Sequence, residues 1–308
     1  MAFTTTSNFS GKAAGFYISA ALKEAKSLGY LTTIENVKFK TNIQKQALSG
    51  VLADATCNFE GAGTLAMTEA VLEVKNLQVN LDLCKSTLLD SWEALQMRAG
   101  AGAPPPASFD DYVISYMAGV IADGTEGGIW TGTAAGAGSF QGFVGTGGYL
   151  LATGANADVT VVQVDNSGGA GTAYTAGNII ANLQDLTAAI PAAVYVKEDL
   201  HIYMSPKTFR LYISAVSTLG YINAYSMNKE YDAVFEGVKI AVCPGMRNDT
   251  MVAAQKSNLF YGTDLLSDAT RISILDMSAL DGSDNMRLVA RYSSGVKQGI
   301  GADIVLID

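Results

Sequence analysis

Two alternating stretches stand apart in the first part of the chain, Val37-Lys-Phe-Lys40 and Leu77-Gln-Val-Asn-Leu-Asp-Leu83. Each sets apolar and polar residues in turn, the pattern of a strand with one apolar face. A glycine- and alanine-rich passage containing Gly50, Gly61 and Gly63 lies between them. The pair reads as a long hairpin whose tip spans roughly thirty residues, beyond the length of ordinary hairpin loops. A lone two-stranded ribbon is marginal in water. This one must therefore lie on another surface, and so long a tip marks function or contact with a neighbouring molecule.

The stretch from Ser108 to Gly132 supplies an organising helix. Phe109, Tyr112, Val113, Tyr116, Met117, Val120 and Ile121 recur at helical spacing and make one apolar face. Ser108 suits the N-cap, Asp110 and Asp111 place negative charge on the first turn, and Gly124 suits a C-terminal cap at positive φ. The other face is small, with Ser115, Ala118, Gly119 and Ala122. A mid-helix glycine costs about 1 kcal/mol against alanine, so close packing is expected there. The glycines around Trp130 predict a ring laid over close-packed backbone.

Lys12 to Leu28 reads as a first helix closed by Gly29, and Lys85 to Arg98 as another, with Leu88, Leu95 and a core Trp92 on one stripe. From Gly132 to Gly177 loop and hairpin material is broken by a strand over Val159 to Val164. Asn178 to Ile190 is an amphipathic helix stopped by Pro191, and Leu200 to Met204 is a strand. Ser205-Pro206 then gives an N-cap and a proline at the first position of a helix carrying Phe209, Tyr212, Ile213, Val216 and Leu219 and ended by Gly220. Further strands are expected at Val238 to Cys243, Met251 to Ala254, Arg271 to Met277, Met286 to Tyr292 and Ile304 to Ile307, with Asp281-Gly282 as a turn. The class is α+β: an α/β lobe, then a return to sheet that can pair with strands near the long helix.

A chain of 308 residues can bury a large core. Hydrophobic residues make up 49% and charged residues 16%, against about 25% charged in an ordinary globular protein. Other copies of the chain are the simplest cover for such a surface. No apolar run reaches the length of about 18 residues that a membrane helix needs, and the start shows no secretory signal. Net charge is −9, and a modest excess of lysine is confined to the first segment, at Lys12, Lys23, Lys26, Lys38, Lys40 and Lys45. That is not the basic patch of a nucleic-acid-binding surface.

Chemistry is poorly provided for. Cys57, Cys84 and Cys243 lack a C-x-x-C spacing and His201 is the single histidine, which excludes the usual Cys/His zinc site. Three reduced, partly buried thiols are expected, with a Cys57–Cys84 disulfide as the alternative, and His201 reads as a satisfied structural side chain. Ser226-Met-Asn-Lys229 followed by Ser283-Asp-Asn285 matches part of the pattern of penicillin-recognising serine enzymes, in which the lysine helps take the proton of the serine nucleophile. The Lys-Thr-Gly element is missing, and Ser226 stands in a polar stretch. Asp281 to Asn285 lacks the spacing of a calcium loop. Nucleophile-elbow, zincin and P-loop motifs are absent from the sequence. No catalytic, cofactor-binding or metal-ligating residue is assigned, no cofactor is expected, and the chain does not read as an enzyme.

The order of parts, with Ile129-Trp-Thr-Gly132, Leu200-His-Ile-Tyr-Met-Ser-Pro-Lys207, Pro244-Gly-Met246, Asn258 to Asp264 and Asp284 to Arg287 through Val305, resembles the HK97-like major capsid proteins of tailed bacteriophages. The resemblance implies an N-terminal arm (1–36), an extended β-hairpin or E-loop (37–84) and a spine helix with the first part of a peripheral domain (85–135). An α/β axial domain (136–240) and strands returning to the peripheral domain (241–308) would follow. It implies self-assembly through hexamers and pentamers into an icosahedral shell around double-stranded DNA, contacted weakly and non-specifically, with a separate scaffolding protein and a portal as partners and no membrane. The location would be the virion, after assembly in the host bacterial cytoplasm. No lysine or asparagine matches the family's covalent cross-link, so none is expected, and nothing before Lys12 is long enough for a scaffolding segment. Deleting residues 46–70 should leave a folded subunit that cannot close shells. The alternatives are an encapsulin-like nanocompartment shell, a β-rich surface protein and the penicillin-type serine hydrolase.

Overall fold

The computed structural model describes residues 26–52, 54–55, 57, 61, 63–84, 107–151, 158–162, 174–218, 233–264, 272–278 and 282–307. The helix expected over Lys12 to Leu28 lies mostly outside these residues, and its described end, Lys26–Tyr30, is a 3-10 turn that contains Gly29 instead of stopping before it. The helix expected over Lys85 to Arg98, with Trp92, lies wholly outside.

The first sheet has β1 (Thr32–Ile34), β10 (Leu259–Gly262), β12 (Asn285–Gln298) and β11 (Ile272–Asp276) in that order, with β4 (Lys75–Cys84) also on β12. The long β12 is shared: its first ten residues pair with β4, from Asn285↔Cys84 to Ser294↔Lys75, and its last four pair with β10. The second sheet runs β5 (Thr160–Val162), β13 (Val305–Ile307), β9 (Met251–Gln255), β6 (Leu200–Met204), β8 (Val238–Val242) and β7 (Val234–Phe235). Segment 241–308 thus supplies strands to both sheets.

The central strands β13, β9 and β6 of the second sheet are buried on both faces, as strands covered on both sides are. Ile202, Met204, Ala253, Val305 and Ile307 pack with Ile179, Leu183 and Leu186 of helix α2 (Ile179–Ala188). Tyr203, Val252, Ala254 and Leu306 pack on the other side with Trp130, Phe143 and Leu150. A short helix α3 (Ala192–Tyr195) follows Pro191. Helix α4 (Pro206–Thr218) starts as the sequence predicts: Ser205 Oγ accepts the Thr208 N–H at 3.2 Å, with Pro206 at the first helical position. Its expected end at Leu219-Gly220 lies outside the described residues.

Two expectations are corrected. The long helix α1 runs Ala107–Thr131, so Ser108 is already helical and Gly124 does not cap it. The reason is tertiary: Glu126, Ile129 and Trp130 are fully buried beyond that glycine, and their packing overrides glycine's weak propensity. The hairpin also has different partners. β2 (Lys40–Ser49) pairs with β3 (Thr64–Glu73), while the Leu77 to Leu83 stretch lies inside β4 and pairs with β12 in the body. The tip therefore covers only 50–63. Leu77 and Leu83 are buried and find their apolar neighbours in the body, which alternation alone does not locate.

Candidate assembly surface

The β2–β3 ribbon is two strands of ten residues in register from Lys40↔Glu73 to Ser49↔Thr64, about 30 Å long at about 3.3 Å per residue. Its root is anchored. Leu72, Val74 and Val37 form a small buried cluster with Ile34 and Ile43 against it. Asn36, at a φ of 62°, turns the chain into the ribbon and donates its N–H to the Asp264 carbonyl. Lys40 Nζ stands 3.0 Å from Glu73 Oε2, and Asn42 Nδ2 donates to Glu69 Oε2 at 3.0 Å.

On the inner face Thr41, Ile43 and Lys45 are half-buried. Burial first, and then the like charge of Lys45, lowers the Lys297 pKa, while Asp158 works against this. The Lys297 ammonium sits 4.0 Å from the Tyr149 ring centre. Beyond Lys45 the ribbon stands free. Its outer face carries Leu48, Leu65 and Met67 at 65%, 58% and 58% exposure, and Leu52 at the tip is 100% exposed. Gly50 and Gly63, both at positive φ, close the end of the ladder, and a Cβ on Gly63 would stand 2.7 Å from the Ser49 carbonyl oxygen. Soluble monomers rarely leave a contiguous apolar patch in water, and an open ribbon edge is a template for pairing. The sequence reading put the hairpin in this region but missed these residues. Their signal was leucine and methionine flanking paired glycines.

The root is tied to the body by a lysine. Lys75, the first residue of β4, donates from Nζ to the carbonyls of Ala134, Gly136 and Ser139 at 3.1, 3.2 and 2.7 Å. All three ammonium donors are thereby used, and the loop that follows α1 is held beside the ribbon's exit. Below it Trp130 is fully buried between Phe143 and Tyr203, with ring centres 5.5 and 5.4 Å away. Cβ atoms on Gly128 and Gly132 would collide with Phe140, so the backbone around this ring is as close-packed as the glycines suggest.

Ser226 to Lys229 lie outside the described residues. Asn285 opens β12 opposite Cys84. Gly282, at a φ of 73°, sits in the connection between β11 and β12, as a turn requires. His201 Nδ1 stands 2.8 Å from the Asp199 carbonyl and its ring packs against Tyr30 and Tyr203. Cys57, Cys84 and Cys243 form no disulfide; the first two are exposed, and burial pushes the Cys243 thiol pKa far up. The expectation of partial burial thus holds for Cys243 alone. An open groove of about 610 Å³ is lined by Thr187, Ile190, Ala192, Tyr195, Val196 and Glu236, and Thr187 Oγ1 donates to Glu236 Oε2 at 2.6 Å. Among the described residues no group of His, Cys, Asp and Glu could hold a metal ion, and no helix is long and apolar enough to cross a membrane.

No protein-family model matches the chain, and no curated protein matches it. Solved structures do. The capsid of Myoviridae phage XM1 aligns with a TM-score of 0.61 at 11% identity, covering 99% of this chain and 98% of that one. The capsid of a native GTA particle aligns at 0.59 and 12% identity over 100% and 95%. The capsid of cyanophage P-SCSP1u aligns at 0.58 and 13% identity over 96% and 90%. Agreement of the whole chain with nearly whole capsid chains, at identities this low, is agreement of fold: the chain has the α+β fold of these phage capsid structures, as its resemblance to HK97-like capsid proteins implied.

Proposed function

We propose that this chain is a major capsid protein that self-assembles, through hexamers and pentamers, into an icosahedral shell around phage double-stranded DNA. The observation that carries the reading is the ribbon beyond Lys45, a strand pair with leucine and methionine in water. A second copy beneath that face would bury it and satisfy a ribbon that is marginal alone. On this reading the ribbon is the E-loop and α1 the spine helix. The second sheet with its helices makes up most of the axial domain, and the first sheet most of the peripheral domain. The segment division given above carries over with the ribbon redrawn as 40–73. The net charge of −9 suits weak, non-specific contact with packaged DNA. A separate scaffolding protein and a portal would complete assembly in the host cytoplasm, and the product is the virion.

Charge placed on the outer face tests this. Leu48→Glu with Met67→Glu alters exposed positions, where substitutions shift stability by about 0.5 kcal/mol or less. The doubly substituted subunit should melt like the parent and build no closed shells. Normal shells from that variant would contradict the ribbon's role.

A further inference from the structure

Gly262 of β10 and Gly295 of β12 are cross-strand partners in the first sheet, and the root of the ribbon lies across this bare pair. A Cβ on Gly262 would stand 2.8 Å from Leu72 Cδ2 and 3.1 Å from Val74 Cγ1. A Cβ on Gly295 would meet the Glu73 carbonyl oxygen and stand 3.0 Å from Val74 Cα. Neither glycine has a positive φ, so backbone freedom is not what glycine supplies here. It supplies room for another chain segment to rest on the sheet's own backbone. Leu72 and Val74 are buried at this point. The crossing is fastened on both sides: Val37 N–H donates to the Thr263 carbonyl at 3.1 Å, Thr263 N–H to that of Ile34 at 3.1 Å, and Val74 N–H to that of Phe39 at 3.0 Å.

We infer that the Gly262–Gly295 pair is a seat that fixes the angle at which the ribbon leaves the body. The two glycines are then positioning residues for the assembly proposed above. Their consequence for shells rests on that proposal, whereas the seat is a property of the single subunit. A close-packed root has little freedom to tilt without lifting. A methyl group at 295 displaces backbone, and one at 262 displaces only the ends of two side chains, so the first should move the ribbon more. Residue 46 lies about 20 Å out along the strand at about 3.3 Å per residue, and a tilt of about 20° carries it about 7 Å.

The test uses the full-length, unassembled subunit with Cys57→Ser and Cys84→Ser, spin-labelled at Gln46→Cys and Lys207→Cys, two exposed positions on the ribbon and on α4. Pulsed electron paramagnetic resonance reads the distance between labels. Gly295→Ala should shift the mean distance by several ångström and Gly262→Ala by less. Adding Leu72→Ala to Gly262→Ala should return the distance toward that of the parent. Unchanged distributions in folded Gly262→Ala and Gly295→Ala would overturn the seat, and if Gly295→Ala does not fold, an unchanged distribution in Gly262→Ala alone is sufficient. Shell formation by the parent chain is scored separately. Parental shells whose ribbons lie clear of every neighbouring copy would remove the proposed function and leave the seat standing, while parental shells with unshifted labels in the variants would do the reverse.

Discussion

Ser27 gives Glu126 two hydrogen bonds, from its backbone N–H to Oε2 at 3.0 Å and from its hydroxyl to Oε1 at 2.6 Å, with both residues fully buried. Gly245 N–H adds a third bond at 3.1 Å, and Trp130 Nε1 donates to the Ser27 hydroxyl at 2.6 Å. A single carboxylate thus ties the segment before β1, the helix α1 and the turn after β8. Removing it strands several buried donors. Glu126→Ala should cost about 3 kcal/mol or more and Ser27→Ala about 1–3 kcal/mol, measured by urea unfolding of the unassembled subunit. A Glu126→Ala variant as stable as the parent would show that the network holds nothing together.

Thiol reactivity should divide by position. Cys57 and Cys84 are exposed, whereas Cys243 is buried with its pKa raised, and the thiolate is the reactive form. A disulfide-exchange reagent followed by mass spectrometry should modify Cys57 and Cys84 in the native subunit and Cys243 only on unfolding. Cys57 lies in the ribbon tip, so its modification should slow once shells form. An equal rate in shells and free subunits would place the tip in solvent.

Asp199 makes stability depend on pH. Partial burial alone would raise its pKa, but hydrogen bonds from Ser257 and Gln255 outweigh it and hold the carboxyl below its ordinary range. A depressed folded pKa stabilises the fold above the unfolded value of about 3.9, and that contribution disappears as pH falls through the folded value. Asp199→Asn should therefore flatten the acid limb of the stability curve below about pH 4 and change the curve little in shape at neutral pH. An acid limb identical to the parent's would assign the loss to other carboxylates.

Lys75 should govern the loop after α1. Lys75→Met keeps the length of the side chain but removes all three hydrogen bonds to Ala134, Gly136 and Ser139. Amide hydrogen exchange over 133–139 should accelerate, with the second sheet unaffected. Unchanged exchange in that loop would mean that its own turns suffice to hold it.

How much could be read from the sequence follows the physics of burial. The strand at Leu200 to Met204 and the Ser205-Pro206 cap are legible because packing and local capping chemistry agree there. The extent of α1 was not, because Gly124 looks like an end and only the buried Glu126, Ile129 and Trp130 carry the helix past it. The ribbon strands were missed for a related reason. Lys40–Ser49 and Thr64–Glu73 face water along much of both sides, so nothing in one subunit imposes a clean alternation on them. Leu77 to Leu83 do alternate, having a core to face, and were paired with the wrong partner. The unpatterned stretch is thus the one proposed to act between subunits.

Electron cryo-microscopy of particles formed by the purified chain tests the central proposal most directly. The expected map shows closed shells in which Leu48, Leu52, Leu65 and Met67 of each ribbon are covered by an adjacent copy. Shells whose ribbon tips stand uncovered in solvent would contradict it.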